Sequence, residues 1–180
     1  MNFEVRELRA EDIPRIVATD GGAAWRGGAE KWGQRLAEQA SGKRLVLVAA
    51  CAEDILGHGS VVWVSAHAPF REAGVPEMMD VMVAEKGRNH GVGTRLIHAL
   101  EERTCAADYK KIGVAVGHFS DYEAAQRLYI HLGYVPYRED ANSGDPSEQA
   151  GEKSAVDDDL VLWLVKELDP AQGDSSRRSE

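Results

Sequence analysis

Long apolar runs are missing from this chain. None approaches the length of a membrane-crossing helix, so no membrane partner is expected. The stretch Met1-Asn2-Phe3-Glu4-Val5-Arg6 has no basic segment followed by an apolar one, and no signal peptide is read there. Cysteine is scarce. Cys51 and Cys105 stand alone with no short spacing, which excludes a disulfide framework and fits two buried, inert thiols in a reducing cytosol. Basic charge is also short. A net charge of −9 argues against a nucleic-acid surface, which needs cations to neutralise phosphates. It serves solubility first, and it tilts the choice of partner towards a cation through long-range steering. His58, His67, His90, His98, His118 and His131 show no metal-ligand spacing, so no metal site is expected. There is no internal repeat.

What is present suits one soluble, cytoplasmic domain. The chain has 180 residues, enough for a sizeable core, and its composition is that of an ordinary globular protein. A single domain is expected over residues 1–168, with a disordered polar tail at 169–180.

The pattern along the chain predicts a mixed α/β fold. Val5 to Leu8 alternates as a strand. A helix starts near Asp12-Ile13-Pro14, with Ile13, Ile16 and Val17 on its apolar face, and a second covers Glu30 to Gln39. Arg44 to Cys51 and Ile55 to Val64 form an antiparallel hairpin. Ala66 to Val75 reads as a loop, and Pro76 to Val83 as the next strand. A helix follows to Ala106, with Val92, Leu96, Ala99 and Leu100 on one face. Lys111 to Val116 follows a crossover helix, so it runs parallel to the strand before it. Ser120-Asp121-Tyr122-Glu123 has the spacing of a capping box. It opens a helix with Ala125, Leu128, Tyr129 and Leu132 on one stripe, stopped by Gly133. Tyr134 to Tyr137 starts a strand, residues 138–159 read as a long surface excursion or lid, and Leu160 to Val165 is a final strand.

Two stretches carry chemistry. The first is Arg88-Asn89-His90-Gly91-Val92-Gly93-Thr94, a glycine turn between strand and helix. Helix-start N–H groups have no intrahelical partner, and the macrodipole adds positive charge there, which makes an anion site. Glycine at 91 and 93 lets the backbone approach a phosphate. A tight turn alone explains the same glycines. The second stretch is Ala125-Gln126-Arg127-Leu128-Tyr129-Ile130-His131-Leu132-Gly133-Tyr134.

Together these resemble the GNAT superfamily of N-acetyltransferases. Val81-Met82-Val83 before Arg88-x-x-Gly91-x-Gly93 is similar to the family's strand and pyrophosphate loop. The stretch 125–134 is similar to its tyrosine-bearing helix, and the order of elements agrees. The match runs from about Pro76 to Tyr137. One residue departs from it: Tyr122 stands where the family often has Asn, which puts that cofactor contact in doubt.

The resemblance implies a central, splayed β-sheet flanked by helices, and acetyl-CoA as cosubstrate. Backbone N–H groups of residues 89–94, with Arg88 nearby, would hold the pyrophosphate, and the 81–83 edge would pair with the pantetheine amides. It also implies Tyr129 as proton donor to the leaving thiolate, although 129 also belongs to a core-facing stripe. The N–H of Met82 or Val83 would stabilise the oxyanion.

The resemblance also makes Glu77 the candidate general base, since several members of that family carry a carboxylate or His at this place. It lies six residues before Val83, a spacing that in a regular strand puts both side chains on one side. Asp80 is the rival, expected on the opposite face and more suited to a structural hydrogen bond. Trp25, Trp32 and Trp63 are candidate pocket walls or core residues, and Asp157-Asp158-Asp159 a candidate cation contact or simply a solvated run. The expected activity is direct acetyl transfer, in a ternary complex, to a primary amine on a small cationic acceptor. A protein N-terminal or lysine acetyltransferase, and a non-catalytic acyl-CoA sensor, are the alternatives. A homodimer is compatible with all three.

Overall fold

The computed structural model describes residues 1–19, 28–52, 54–117, 123–138 and 161–169. The chain order is β1 (Glu4–Glu7), α1 (Asp12–Ala18), α2 (Gly28–Ala40), β2 (Arg44–Cys51) and β3 (Asp54–Val62). There follow α3 (Ala68–Glu72), β4 (Glu77–Val83), α4 (Val92–Ala106) and β5 (Lys111–Gly117). Last come α5 (Glu123–His131), β6 (Val135–Pro136) and β7 (Val161–Glu167). The strands form one sheet in the order β1-β2-β3-β4-β5-β7-β6. Its pairs are antiparallel except β4–β5, which is parallel as the crossover helix requires.

One face of the sheet carries α4 and α5. Val92, Leu96, Ile97 and Leu100 of α4 are buried there against Val61, Met78, Val114 and Leu164. Each fully buried Leu or Ile contributes about 1.5–3 kcal/mol, so this stripe anchors the helix behind the glycine turn. The other face carries α1 and α2, with Ile16 and Trp32 packed on Val46, Val48 and Ile55. Asp12 locks α1 to β1. Its buried carboxylate accepts two bonds from Arg6, at 2.7 and 2.8 Å, and one from the Arg9 N–H at 2.9 Å. Burial pushes its pKa up, but the bonds to Arg6 and Arg9 outweigh that and hold it below the usual carboxylate range.

Three expectations change. Residues 66–75 are not all loop, because Pro69 opens the short helix α3. Val17 is exposed, since α1 is short and buries only Ile16 fully among its apolar residues. Cys51 and Cys105 are free but half-buried, each at the rim of the core. The capping box at 120–123 and the 138–159 excursion lie almost wholly outside the described residues, as do Trp25, His118, Tyr122, Asp157, Asp158, Asp159 and the segment 170–180.

Helix α3 is fixed by an aromatic cluster on β5 and β7. Phe70 meets His67, Tyr137 and Trp163 edge-on, with centroids 5.1, 5.0 and 5.3 Å away. His67 and Trp163 stack at 3.6 Å. Gly113 makes room for the ring: a Cβ there would lie 2.1 Å from Phe70 Cε2. Gly113→Ala is therefore expected to cost about 1–3 kcal/mol by overpacking. Urea denaturation checks this, and an unchanged midpoint would show that Phe70 is free to move aside.

Candidate active site

The sheet opens at its one parallel joint. The β4–β5 ladder has only two pairs, Glu77↔Gly113 and Met78↔Val114, although each strand has seven residues. Beyond Met78 the two strands part, and the β4 edge at 81–83 faces a gap.

A bulge shapes that edge. Ser60 pairs with Met79 and His58 with Met82, so Asp80 and Val81 together oppose Gly59. Asp80 adopts a left-handed φ of 54°. The extra residue reverses the strand's alternation. At the start of β4, the Pro76 carbonyl accepts a 2.8 Å bond from Gly113 N–H, so even-numbered residues turn their backbone groups to β5. At its end, Ala84 N–H donates to the Leu56 carbonyl at 2.9 Å, so even-numbered residues turn theirs to β3. By this alternation Val81 and Val83 direct their N–H groups into the gap, and Met82 directs its own to β3.

The bulge also corrects the expected facing. Cross-strand partners share a face, so Glu77, Met79 and Met82 lie with Val62, Ser60 and His58. Met78 and Val83 lie on the other face, with Val61 and Gly57. The six-residue spacing from Glu77 to Val83 thus does not preserve parity. Asp80 is not turned away from Glu77's side either: its carboxylate reaches Arg35 of α2, on the layer that covers that face, at 2.6 Å. That ion pair is the structural bond anticipated for Asp80.

Glu77 is 5% exposed. Ser65 Oγ–H donates to Glu77 Oε2 at 2.5 Å, while His67 N–H donates to Ser65 Oγ at 2.9 Å. The backbone N–H occupies a lone pair of the hydroxyl and leaves its proton for Glu77. This fixes the carboxylate at the point where β4 and β5 begin to part. Ser65 carries no sequence signal of its role, because it lies in an irregular segment twelve residues before its partner.

Tyr129 enters from the opposite face. It is 5% exposed, its ring meets Tyr134 edge-on at 5.2 Å, and its hydroxyl donates to Met78 Sδ at 3.8 Å. Burial, and after it the Glu101 carboxylate, push its pKa upwards. The group therefore remains a phenol and a donor at neutral pH. Its one sulfur contact is weak and exchangeable.

The glycine turn follows β4 through a 3₁₀ turn at Glu85–Gly87. Asn89 and Gly91 both have positive φ, at 60° and 75°, an alternation that gathers successive N–H groups into a concavity for anions. Arg88, Asn89 and His90 are exposed, and His90 Nδ1 lies 2.7 Å from the Arg88 carbonyl. The Arg95 N–H donates to the Gly91 carbonyl at 3.0 Å, so the ladder of α4 starts there. The N–H groups of Val92, Gly93 and Thr94 precede it. A Cβ on Gly93 would point towards Val83 Cγ2 at 3.5 Å and Leu128 Cδ2 at 3.9 Å, that is, between β4 and α5. Turn, gap edge, Glu77 and Tyr129 are thus arrayed along one strand.

The remaining aromatic candidates separate. Trp32 is fully buried, with the His58 ring edge-on at 4.8 Å, and Trp63 is half-buried and stacked on Tyr109 at 5.5 Å. Burial lowers the pKa of His58 to about 3, so its ring is neutral. Among the described residues, no three His, Cys, Asp or Glu side chains are placed to hold a metal ion, and no helix is long and apolar enough to cross a membrane.

Several solved acetyltransferase structures share this fold. The structure of ribosomal-protein-alanine N-acetyltransferase from Brucella melitensis superposes with a TM-score of 0.67 at 21% identity, covering 92% of this chain and 99% of that one. An N-acetyltransferase from Staphylococcus aureus Mu50 gives 0.69 at 14% identity, over 94% and 100%. The PaiA N-acetyltransferase from Thermoplasma acidophilum, solved in complex with coenzyme A, gives 0.66 at 13%, over 93% and 99%. At these identities the likeness shows the fold. Comparison with curated proteins finds no match. The acetyltransferase (GNAT) domain family matches residues 42–136, which include the gap, the glycine turn, Glu77 and Tyr129. Over more than half its length, then, this chain carries that domain, and it belongs to the GNAT acetyltransferase family.

Proposed function

We propose that this protein is an acetyl-CoA-dependent N-acetyltransferase that acts on a primary amine of a small, cationic acceptor by direct attack in a ternary complex. The observation that carries the reading is the two-pair β4–β5 ladder, which opens beside the helix-start turn of α4. Backbone N–H groups of residues 89–94 suit the pyrophosphate, and Arg88 adds a cation at the rim. Val81 and Val83 offer gap-facing groups for the pantetheine amides, with Met82 between them. An extended amide chain adds to such an edge as a strand does. The acetyl carbonyl then reaches the N–H of Val83 or Val81, where charge develops.

Glu77 takes the amine proton, directly or through a water, and Tyr129 donates to the departing sulfur. Their placement on opposite faces of the same joint supports separate acid and base roles. Asp80 suits the base role less, because Arg35 already occupies its carboxylate. Direct attack needs no protein nucleophile, and Cys51 and Cys105 lie on elements other than β4, β5 and α5.

Release of free thiol from acetyl-CoA, measured against small amines, aminoglycosides and peptides, tests the reading. Fast turnover with small cationic amines is expected. Turnover confined to peptides would replace it with the protein acetyltransferase alternative, and cofactor binding without turnover would leave an acyl-CoA sensor.

A further inference from the structure

The bulge in β4 has a lock outside the strand. Asp80 sits at its centre with a φ of 54°, a conformation that L side chains rarely adopt. Two groups beneath it hold that conformation. Arg35 Nη2 donates to the Asp80 carboxylate at 2.6 Å, with the two side chains 12% and 35% exposed. The His58 ring hydrogen-bonds the Asp80 backbone. Both supports rest on buried Trp32: the Arg35 guanidinium carbon lies 5.8 Å from that ring's centroid, and His58 meets its edge. Helix α2 therefore reaches β4 through a preorganised cation, not through apolar packing alone.

The bulge is what reverses the alternation of β4. Without it, the N–H groups of Val81 and Val83 would turn to β3, and the gap would be lined by others. We propose that Arg35 is a positioning residue: by holding Asp80 it fixes the bulge, and so aims the gap-facing N–H groups at the acetyl carbonyl. This rests on the acetyltransferase reading for its kinetic consequence, though not for its structural one. An ion pair acting only as structural glue would change stability. A pair that aims an oxyanion donor changes kcat, because the interaction matters most as charge develops.

Four variants test it: Arg35→Met, Asp80→Ala, Asp80→Gly and the double Arg35→Met/Asp80→Ala. Thermal melting first establishes that each is folded. The two polar-to-apolar single variants are expected to lower kcat about tenfold and also to raise KM for acetyl-CoA, since the same N–H groups face the pantetheine amides. The double variant is expected to be no slower than either single one, since both remove the same lock. Asp80→Gly is expected to recover most of the lost rate, because glycine adopts the left-handed conformation unaided. Full kcat in folded Arg35→Met overturns the proposal. So does an Asp80→Gly variant as slow as Asp80→Ala, which would mean that the carboxylate itself is needed. Amide hydrogen exchange supplies a readout independent of turnover. The Met82 N–H, directed to β3, is expected to exchange at least about tenfold faster in Arg35→Met. Unchanged exchange there overturns the lock even if the wild-type protein shows no turnover, an outcome that would separately overturn the acetyltransferase reading.

Discussion

Glu77→Gln is expected to lower kcat/KM for the acceptor by about 10²–10⁴, the usual contribution of a positioned general base. The substitution keeps the size of the side chain. Its amide oxygen still accepts from the Ser65 hydroxyl, which donates to Oε2 at 2.5 Å in the native chain. Folding and acetyl-CoA affinity should therefore persist, and only proton removal from the amine is lost. Steady-state kinetics with an already reactive amine sharpen the result: an acceptor that is unprotonated at the assay pH should lose much less rate. Undiminished activity with a protonated amine would mean that solvent alone takes the proton.

Tyr129→Phe is expected to cut kcat by about 10²-fold, within the range of general acid catalysis, while acetyl-CoA binds almost as before. Among the described residues, the phenol's hydrogen-bond partner is Met78 Sδ at 3.8 Å. Losing that weak bond costs little stability, and phenylalanine keeps the edge-on contact with Tyr134. A large loss of stability with unchanged kcat would instead identify Tyr129 as a core residue. Calorimetric titration of acetyl-CoA, run beside the rate measurement, separates the two.

Much of this site was legible because its parts are local. The glycine turn, the helix after it and the tyrosine stripe each follow from residues within a dozen positions, and hydrophobic period places them on elements. Strand parity was not legible, since the bulge arises from how β4 pairs with β3 and from Arg35, 45 residues away. A polar residue inside a Met/Val run was its only trace. Ser65 was hidden for a similar reason: its role depends on a turn that brings it under β4. The loop expected at 66–75 contains α3, because Phe70 finds its pocket only over Gly113, a residue on a distant strand.

If the α4 turn and the β4 edge hold the cofactor, as proposed, Gly93→Ala should weaken its binding without harming the fold. The protein itself has room for this methyl, whose neighbours would be Val83 at 3.5 Å and Leu128 at 3.9 Å. Within a helix alanine is favoured over glycine by about 0.5–1 kcal/mol, so the variant should melt no lower than the wild type. The methyl projects between β4 and α5, where the proposed site would bring the cofactor's arm and pyrophosphate together. Titration calorimetry with acetyl-CoA is therefore expected to show affinity reduced at least about tenfold in a protein of equal or greater stability. Equal affinity in the two proteins would contradict the placement.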